Sequence, residues 1–211
     1  MPIKNSCFIS YRRLSAEYAR DFHASLEREL RHWTPLPIYR DETRLNGGDF
    51  YNRELALALC ESACMVMIYT PTYFDKVSTY CACEYKAMEA LESQRLRQLG
   101  YERNQQHSLI IPVIYRGLEY FPEPIKSRRA YYEFEFSVCG RSYLKRKEYQ
   151  ESIKKIAKYI FQRCNELDVV EKDPCEKCDT FNFPVPHKIS SWLSNMLPPK
   201  PILPGRSGRT S

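Results

Sequence analysis

The sequence predicts an α/β fold, a doubly wound sheet of five parallel strands with helices on both faces. Three observations carry it. Short runs recur that are apolar on both faces, as parallel strands covered by helices are. Longer stretches between them repeat apolar residues at helical spacing. The two alternate from Ser6 to about Cys164, the pattern of a parallel sheet wound by crossover helices. The chain has 211 residues, enough for one well-filled domain and too few for two large ones.

Ser6-Cys-Phe-Ile-Ser-Tyr11 reads as the first strand, with Arg12 and Arg13 at its C-terminal edge. Ser15 is placed to cap a helix whose apolar stripe is Ala19, Phe22, Leu26, Leu30 and Trp33. Leu36-Pro-Ile-Tyr39 is a second strand, confined to a sheet edge by its proline. A polar loop from Arg40 to Asp49 follows, with Gly47 and Gly48 able to adopt conformations closed to other residues. Asp49 is placed to cap the next helix, which carries Leu55, Leu59 and Ser62 on one face. The third strand is Cys64 to Tyr69, and a loop through Tyr73-Phe74-Asp75 leads to a helix from Tyr80 to about Arg97. Leu109 to Tyr115 is the strongest β run, and the alternating Tyr131 to Phe136 suits a half-exposed edge strand. A last helix carries Tyr149, Ile153, Ile156, Ile160, Phe161 and Cys164 as one apolar stripe. The expected strand order is the flavodoxin-like 2-1-3-4-5.

This domain is assigned residues 1–165. Beyond it the periodicity fades among seven prolines, so residues 166–211 read as a Pro-rich appendage, packed in part through Phe181, Phe183, Trp192 and Leu193 and disordered in part. Apolar residues make up 43% and charged residues 27% of the chain. No run approaches a membrane span and the N-terminus lacks the apolar core of a signal peptide, so the expected compartment is the cytoplasm. The nine cysteines fit that compartment: Cys7, Cys60, Cys64, Cys81 and Cys83 are expected as reduced thiols acting as small core hydrophobes, and the odd count argues against a fully paired disulfide framework. Only Cys175-x-x-Cys178 has metal-ligand spacing. Zinc completed by Cys164 and His187 is the alternative that this spacing offers, and no metal is assigned.

The net charge is +6, and residues 166–211 hold six charges of each sign, so the excess lies in residues 1–165. Basic runs are short and not interleaved with aromatics, which argues against nucleic acid and leaves an anionic small molecule or an acidic partner. The seven glycines form no GxGxxG, no Walker A segment exists, and Tyr69-Thr70 stands where a phosphoacceptor aspartate would end the third strand. What remains is Glu84, in Tyr80-Cys81-Ala82-Cys83-Glu84, near the start of a helix beside the C-terminal end of a buried strand. That carboxylate either complements the helix dipole or faces the crevice in which open α/β sheets bind ligands.

Phe8-Ile9-Ser10-Tyr11, the loop from Arg40-Asp41 through Gly47-Gly48, and Tyr80-Cys81-x-x-Glu84 occur in the order and at the separations of the boxes of a Toll/interleukin-1 receptor (TIR) domain, which residues 4 to 164 resemble. The likeness is closer to the bacterial enzymatic branch, whose aromatic-Cys-x-x-Glu motif carries the catalytic glutamate, although Tyr80 replaces the usual tryptophan. The resemblance implies cleavage of the nicotinamide–ribose bond of NAD, as substrate and with no cofactor, by an NAD glycohydrolase or ADP-ribosyl cyclase with Glu84 as catalytic residue. It implies substrate contacts from Ser10, Tyr11, Arg12 and Tyr80, and from Arg40, Arg44 and Asn46 in the same subunit or a neighbour. Tyr11 as core and Arg12 as a solvated charge stand as the alternatives. Self-association through TIR faces and a downstream effector sensing a nucleotide signal, as in Thoeris-like anti-phage defence, are further implications. Two other readings stay open: a non-catalytic TIR adaptor, and a nucleoside deoxyribosyltransferase-like enzyme.

Overall fold

The computed structural model describes residues 3–41, 49–101, 106–135, 141–168 and 178–196. Five strands, β1 (Asn5–Tyr11), β2 (Ile38–Arg40), β3 (Ser62–Tyr69), β4 (Ile110–Ile114) and β5 (Tyr132–Glu133), form one sheet of order β2-β1-β3-β4-β5. Every pairing is parallel, as expected of this flavodoxin-like fold. The order reverses between β1 and β3, which places the topological switch point at the C-terminal ends of those two strands. β3 is buried along its whole length, and this explains a sequence with no polar alternation.

Helices α1 (Ala16–Leu30) and α5 (Lys147–Asp168) pack together on one face, and α2 (Asp49–Cys60) and α3 (Tyr80–Gln98) on the other. The short α4 (Glu123–Lys126) lies between β4 and β5, and α6 (Pro186–Ser194) rests on α3. The predicted stripes of α1 and α5 are their buried faces, with Ala19, Phe22, Leu26, Ile153, Ile156 and Ile160 all in the core.

Several boundaries differ from the sequence reading. Ser62 opens β3 instead of closing α2, and its hydroxyl bonds back to the Ala58 carbonyl. Asp49 is the first residue of α2. Ser15 precedes α1 without a side-chain capping bond, because residues Arg13–Ser15 already form a 3-10 turn that leads into the helix. Trp33 lies beyond the end of α1, half-exposed, and rests on Phe161. The second strand is displaced toward Arg40, and β5 is two residues long, since at the sheet edge only β4 offers it hydrogen bonds.

Helix α3 owes its place to polar ties as much as to apolar packing. Arg95, fully buried, donates to the carbonyls of Cys60 (2.6 Å) and Ser62 (2.6 Å), satisfying the C-terminal end of α2 and the turn into β3. Three residues earlier, Glu92 receives both prongs of Arg129, at 2.6 and 2.7 Å, together with the Leu109 amide (2.7 Å) and the Ser108 hydroxyl (2.9 Å). Arg129 Nε also reaches the Tyr85 hydroxyl at 3.2 Å. Burial pushes the Glu92 carboxyl up, but the bonds and charge of Arg129, with the amide and hydroxyl, outweigh it and hold its pKa below the ordinary value.

The cysteines bring a correction. Cys60, expected as a reduced core thiol, is disulfide-bonded to Cys178, with their Cα atoms 5.7 Å apart. The bond joins the end of α2 to the 3-10 turn Cys178–Thr180 and removes Cys178 from the zinc reading, while Cys175 lies outside the described residues. Among the described residues no group of three His, Cys, Asp or Glu is placed to hold a metal. The expected reduced state does hold for Cys7, Cys64, Cys81 and Cys83, and Cys164, named as a zinc partner, is likewise a buried free thiol. Of the appendage, Ile189, Leu193 and Met196 are buried, and Trp192 stacks on Tyr85 and meets Phe74 edge-on. No helix among the described residues is long and apolar enough to cross a membrane.

Two stability predictions follow from these ties. Glu92→Ala strands a buried guanidinium and is expected to cost about 3–5 kcal/mol by urea unfolding. Because the folded pKa of Glu92 is depressed, its contribution is present above the unfolded value of about 4.3 and is lost as pH falls through the folded one. Glu92→Gln is expected to flatten that acid limb. Removing the Cys60–Cys178 bond, which closes a separation of 118 residues, is expected to cost roughly 2–5 kcal/mol. Adding a thiol reductant should lower the guanidinium midpoint of the wild type and leave that of Cys178→Ser unmoved.

Candidate functional site around Glu84

At the C-terminal end of β1, Ser10 is paired with Met67 of β3 and faces the start of α3. Its Oγ donates to Glu84 Oε2 at 2.5 Å and lies 2.6 Å from the Tyr73 hydroxyl. Ser10 has one hydroxyl proton, and it is given to Glu84. The Tyr73 proton therefore points to Ser10, forming a directed chain from Tyr73 through Ser10 to the carboxylate. Ser10, Tyr73 and Glu84 are all fully buried.

The rest of the motif docks on the same strand end. Cys81 Sγ donates to the Tyr11 carbonyl at 3.4 Å, so the first turn of α3 is fastened to β1 by residue 81 as well as by residue 84. The sequence assigned Cys81 no chemistry, and the structure gives it a positioning contact. Burial, and to a lesser degree the neighbouring Glu84, push the Cys83 thiol above its ordinary pKa, against a bond from Thr79. Such a thiol is a poor nucleophile.

The other expected site residues are placed as follows. Tyr11 is buried, and its hydroxyl donates to the Asp41 carbonyl at 2.5 Å, holding the start of the loop after β2. Arg12 is directed at the segment before α3, donating to the Ser78 carbonyl at 2.9 Å and pairing with Asp75 at 3.3 Å. Asp75 in turn accepts the Val77 amide at 3.0 Å, so Arg12 clamps this approach to the helix. Arg40 ends β2 in register with Ile9. Arg44 and Asn46 lie outside the described residues. Tyr80, 45% exposed, is one helical turn before Glu84 and thus on the same side of α3.

Tyr80 and Cys83 open onto a cavity of about 600 Å³. Arg53 of α2 and the segment Asn182–Pro186 of the appendage line it from the other sides, and Glu84 is not on its surface. Sequence reasoning missed both Tyr73 and this C-terminal wall. The aromatic pair Tyr73-Phe74 between strand and helix was a visible signal for the first. The second depends on the Cys60–Cys178 bond, which sequence spacing does not specify.

At the C-terminal edge on which this site is built, the segments after β3 and β4 approach closely at one glycine. Gly117, just after β4, has φ +77°, and a Cβ there would collide with the ring of Pro71, which follows β3. The Tyr69 hydroxyl bonds the Tyr120 carbonyl across the same gap, at 2.6 Å.

No curated protein and no solved structure matches the chain significantly. The family model for the TIR domain matches residues 7–140, which include β1 from Cys7 on, strands β2 to β5, the loop after β2 and the motif from Tyr80 to Glu84. With that match over more than half of its length, the chain belongs to the TIR domain family.

Proposed function

We propose that this TIR domain cleaves the bond between nicotinamide and ribose in NAD, with Glu84 as the catalytic residue. The observation that carries the reading is a carboxylate at the sheet's switch point, on the Tyr-Cys-x-x-Glu motif, oriented by the Ser10–Tyr73 chain. Nicotinamide in NAD is a cationic leaving group. It departs with the electron pair of the C–N bond and needs no general acid, so the two-carboxylate arrangement of most glycosidases is unnecessary. Positive charge then develops on the ribose, and a fixed carboxylate stabilises that charge more strongly than it does the ground state. Water adds to the ribose carbon and releases one proton, giving ADP-ribose and nicotinamide. Attack by an adenine nitrogen in place of water gives the cyclic product.

Glu84 is shielded from solvent in this conformation, so substrate access requires movement around it, which we assign to the partly exposed segment from Asp75 to Thr79, leaving Tyr73 on Ser10. The segment's Arg12–Asp75 clamp is a partly exposed ion pair of the kind that contributes little to stability. Self-association is part of the proposal. Leu14, two residues beyond Arg12, is 87% exposed, and Val77, next to the Ser78 whose carbonyl Arg12 holds, is 94% exposed; apolar side chains presented to solvent favour contact with a second TIR domain. The same observation favours the second reading, a non-catalytic adaptor. An ADP-ribose-type signal in bacterial anti-phage defence, read by a downstream effector, extends the enzymatic reading.

Incubating concentrated protein with NAD and following nicotinamide and the ADP-ribosyl product by chromatography and mass spectrometry tests it. Glu84→Gln keeps the shape and removes the charge, and is expected to lower nicotinamide release by at least about 100-fold. No NAD consumption by the wild type, with partner recruitment intact in Glu84→Gln, would instead establish the adaptor. Ser10→Ala removes one charge-assisted bond to Glu84 and is expected to lower kcat about tenfold with little change in KM.

A further inference from the structure

The cavity beside Tyr80 has a wall that does not come from the α/β sheet domain. Its inner side is the first turn of α3, with Thr79, Tyr80 and Cys83, and Arg53 of α2 adds a cationic side chain. The outer side is the appendage from Asn182 to Pro186, including Phe183. That segment is positioned from both ends. On its N-terminal side Cys178 is covalently bound to Cys60, and Arg53 reaches the Asp179 carbonyl at 3.5 Å. On its C-terminal side α6 is anchored by Trp192 on Tyr85 and by buried Ile189 and Leu193. Lys86 lies over the Trp192 ring, 5.1 Å from its centroid. An irregular stretch that runs into the first residue of α6 is thus held against the cavity between a covalent bond and an aromatic stack.

We propose that Asn182–Pro186 is a working part of the substrate site, and that this cavity holds the adenylate half of a dinucleotide whose nicotinamide ribose is presented to Glu84. The proposal rests on the reading of Glu84 as the group that acts on NAD. A volume of about 600 Å³ is in the range of small-ligand sites. Tyr80 and Phe183 offer aromatic faces for a planar base. Arg53 offers a forked cation that matches a phosphate. The excess positive charge of residues 1–165 favours an anionic ligand. Tyr80 shares a helix side with Glu84, so a ligand held against its ring lies one helical turn from the carboxylate and reaches it when the residues that cover Glu84 move. Phe183 and Arg53 are then binding residues and Glu84 alone carries the chemistry.

The test is calorimetric titration of ADP-ribose into the full chain, comparing wild type with Phe183→Ala and Arg53→Gln, with thermal unfolding of each protein to establish that it is folded. Hydrogen–deuterium exchange of residues 181–186 with and without ADP-ribose is the second measurement, independent of any variant. Each substitution is expected to weaken binding about tenfold, and ADP-ribose is expected to slow exchange in 181–186. Unchanged affinity in both variants, unchanged exchange in 181–186, or no binding by the wild type overturns the proposal. Nicotinamide release from NAD is read separately. If ADP-ribose binds as described but NAD is not cleaved, the site stands and the assigned chemistry falls. If NAD is cleaved with the same KM by wild type and both variants, the chemistry stands and the site falls.

Discussion

The structure depends on the way one helix is bonded into the sheet through charged side chains. Glu84, Glu92 and Arg95 of α3 are all fully buried, a costly arrangement unless each finds partners. Each is bonded to a different part of the fold: Glu84 to the end of β1, Glu92 to the start of β4 and to Arg129, and Arg95 to the turn between α2 and β3. These bonds have directional requirements that apolar contacts lack. They fix both the rotation and the axial position of α3, and therefore where Glu84 lies against Ser10.

The same feature explains how much of the protein was legible in its sequence. Strand identity, strand order and the stripes of α1 and α5 follow from apolar periodicity, which the core obeys directly. Glu84 was also legible, because an ordered set of boxes led to it. The partners were harder. Nothing in the spacing of residues 10 and 73 says that their hydroxyls meet in front of residue 84, since that contact depends on the register between β1 and β3. Arg12 illustrates the limit: an arginine at a strand edge reads equally as a ligand for phosphate or a solvated charge, and the structure places it as a clamp on the segment before α3. Element ends were misplaced where a turn and a helix compete for the same residues, as at Ser15 and Ser62.

The appendage was the least legible part. Its prolines and lack of periodicity imply irregular structure, and residues 181–185 are irregular. What such a segment packs against is decided by a few long-range contacts. Trp192 finds a niche between Tyr85 and Phe74, and Cys178 finds Cys60. Neither pairing leaves a local signature, and a CxxC spacing drew attention to metal ligation when one of its cysteines was engaged elsewhere.

The Cys60–Cys178 bond also changes the connectivity of the molecule. It closes a covalent ring that contains β3, α3, β4, β5 and α5, while β1, α1, β2 and most of α2 form an arm attached to that ring at residue 60. The two halves of the switch point therefore belong to different topological parts: Ser10 is on the arm and Glu84 is on the ring. A single backbone cut anywhere inside the ring leaves all fragments joined, whereas a cut in the arm between Ser10 and residue 60 releases the Ser10 side from every covalent link to Glu84. After such a cut, the sheet hydrogen bonds between β1 and β3 and the packing around them are what remain to hold the site together.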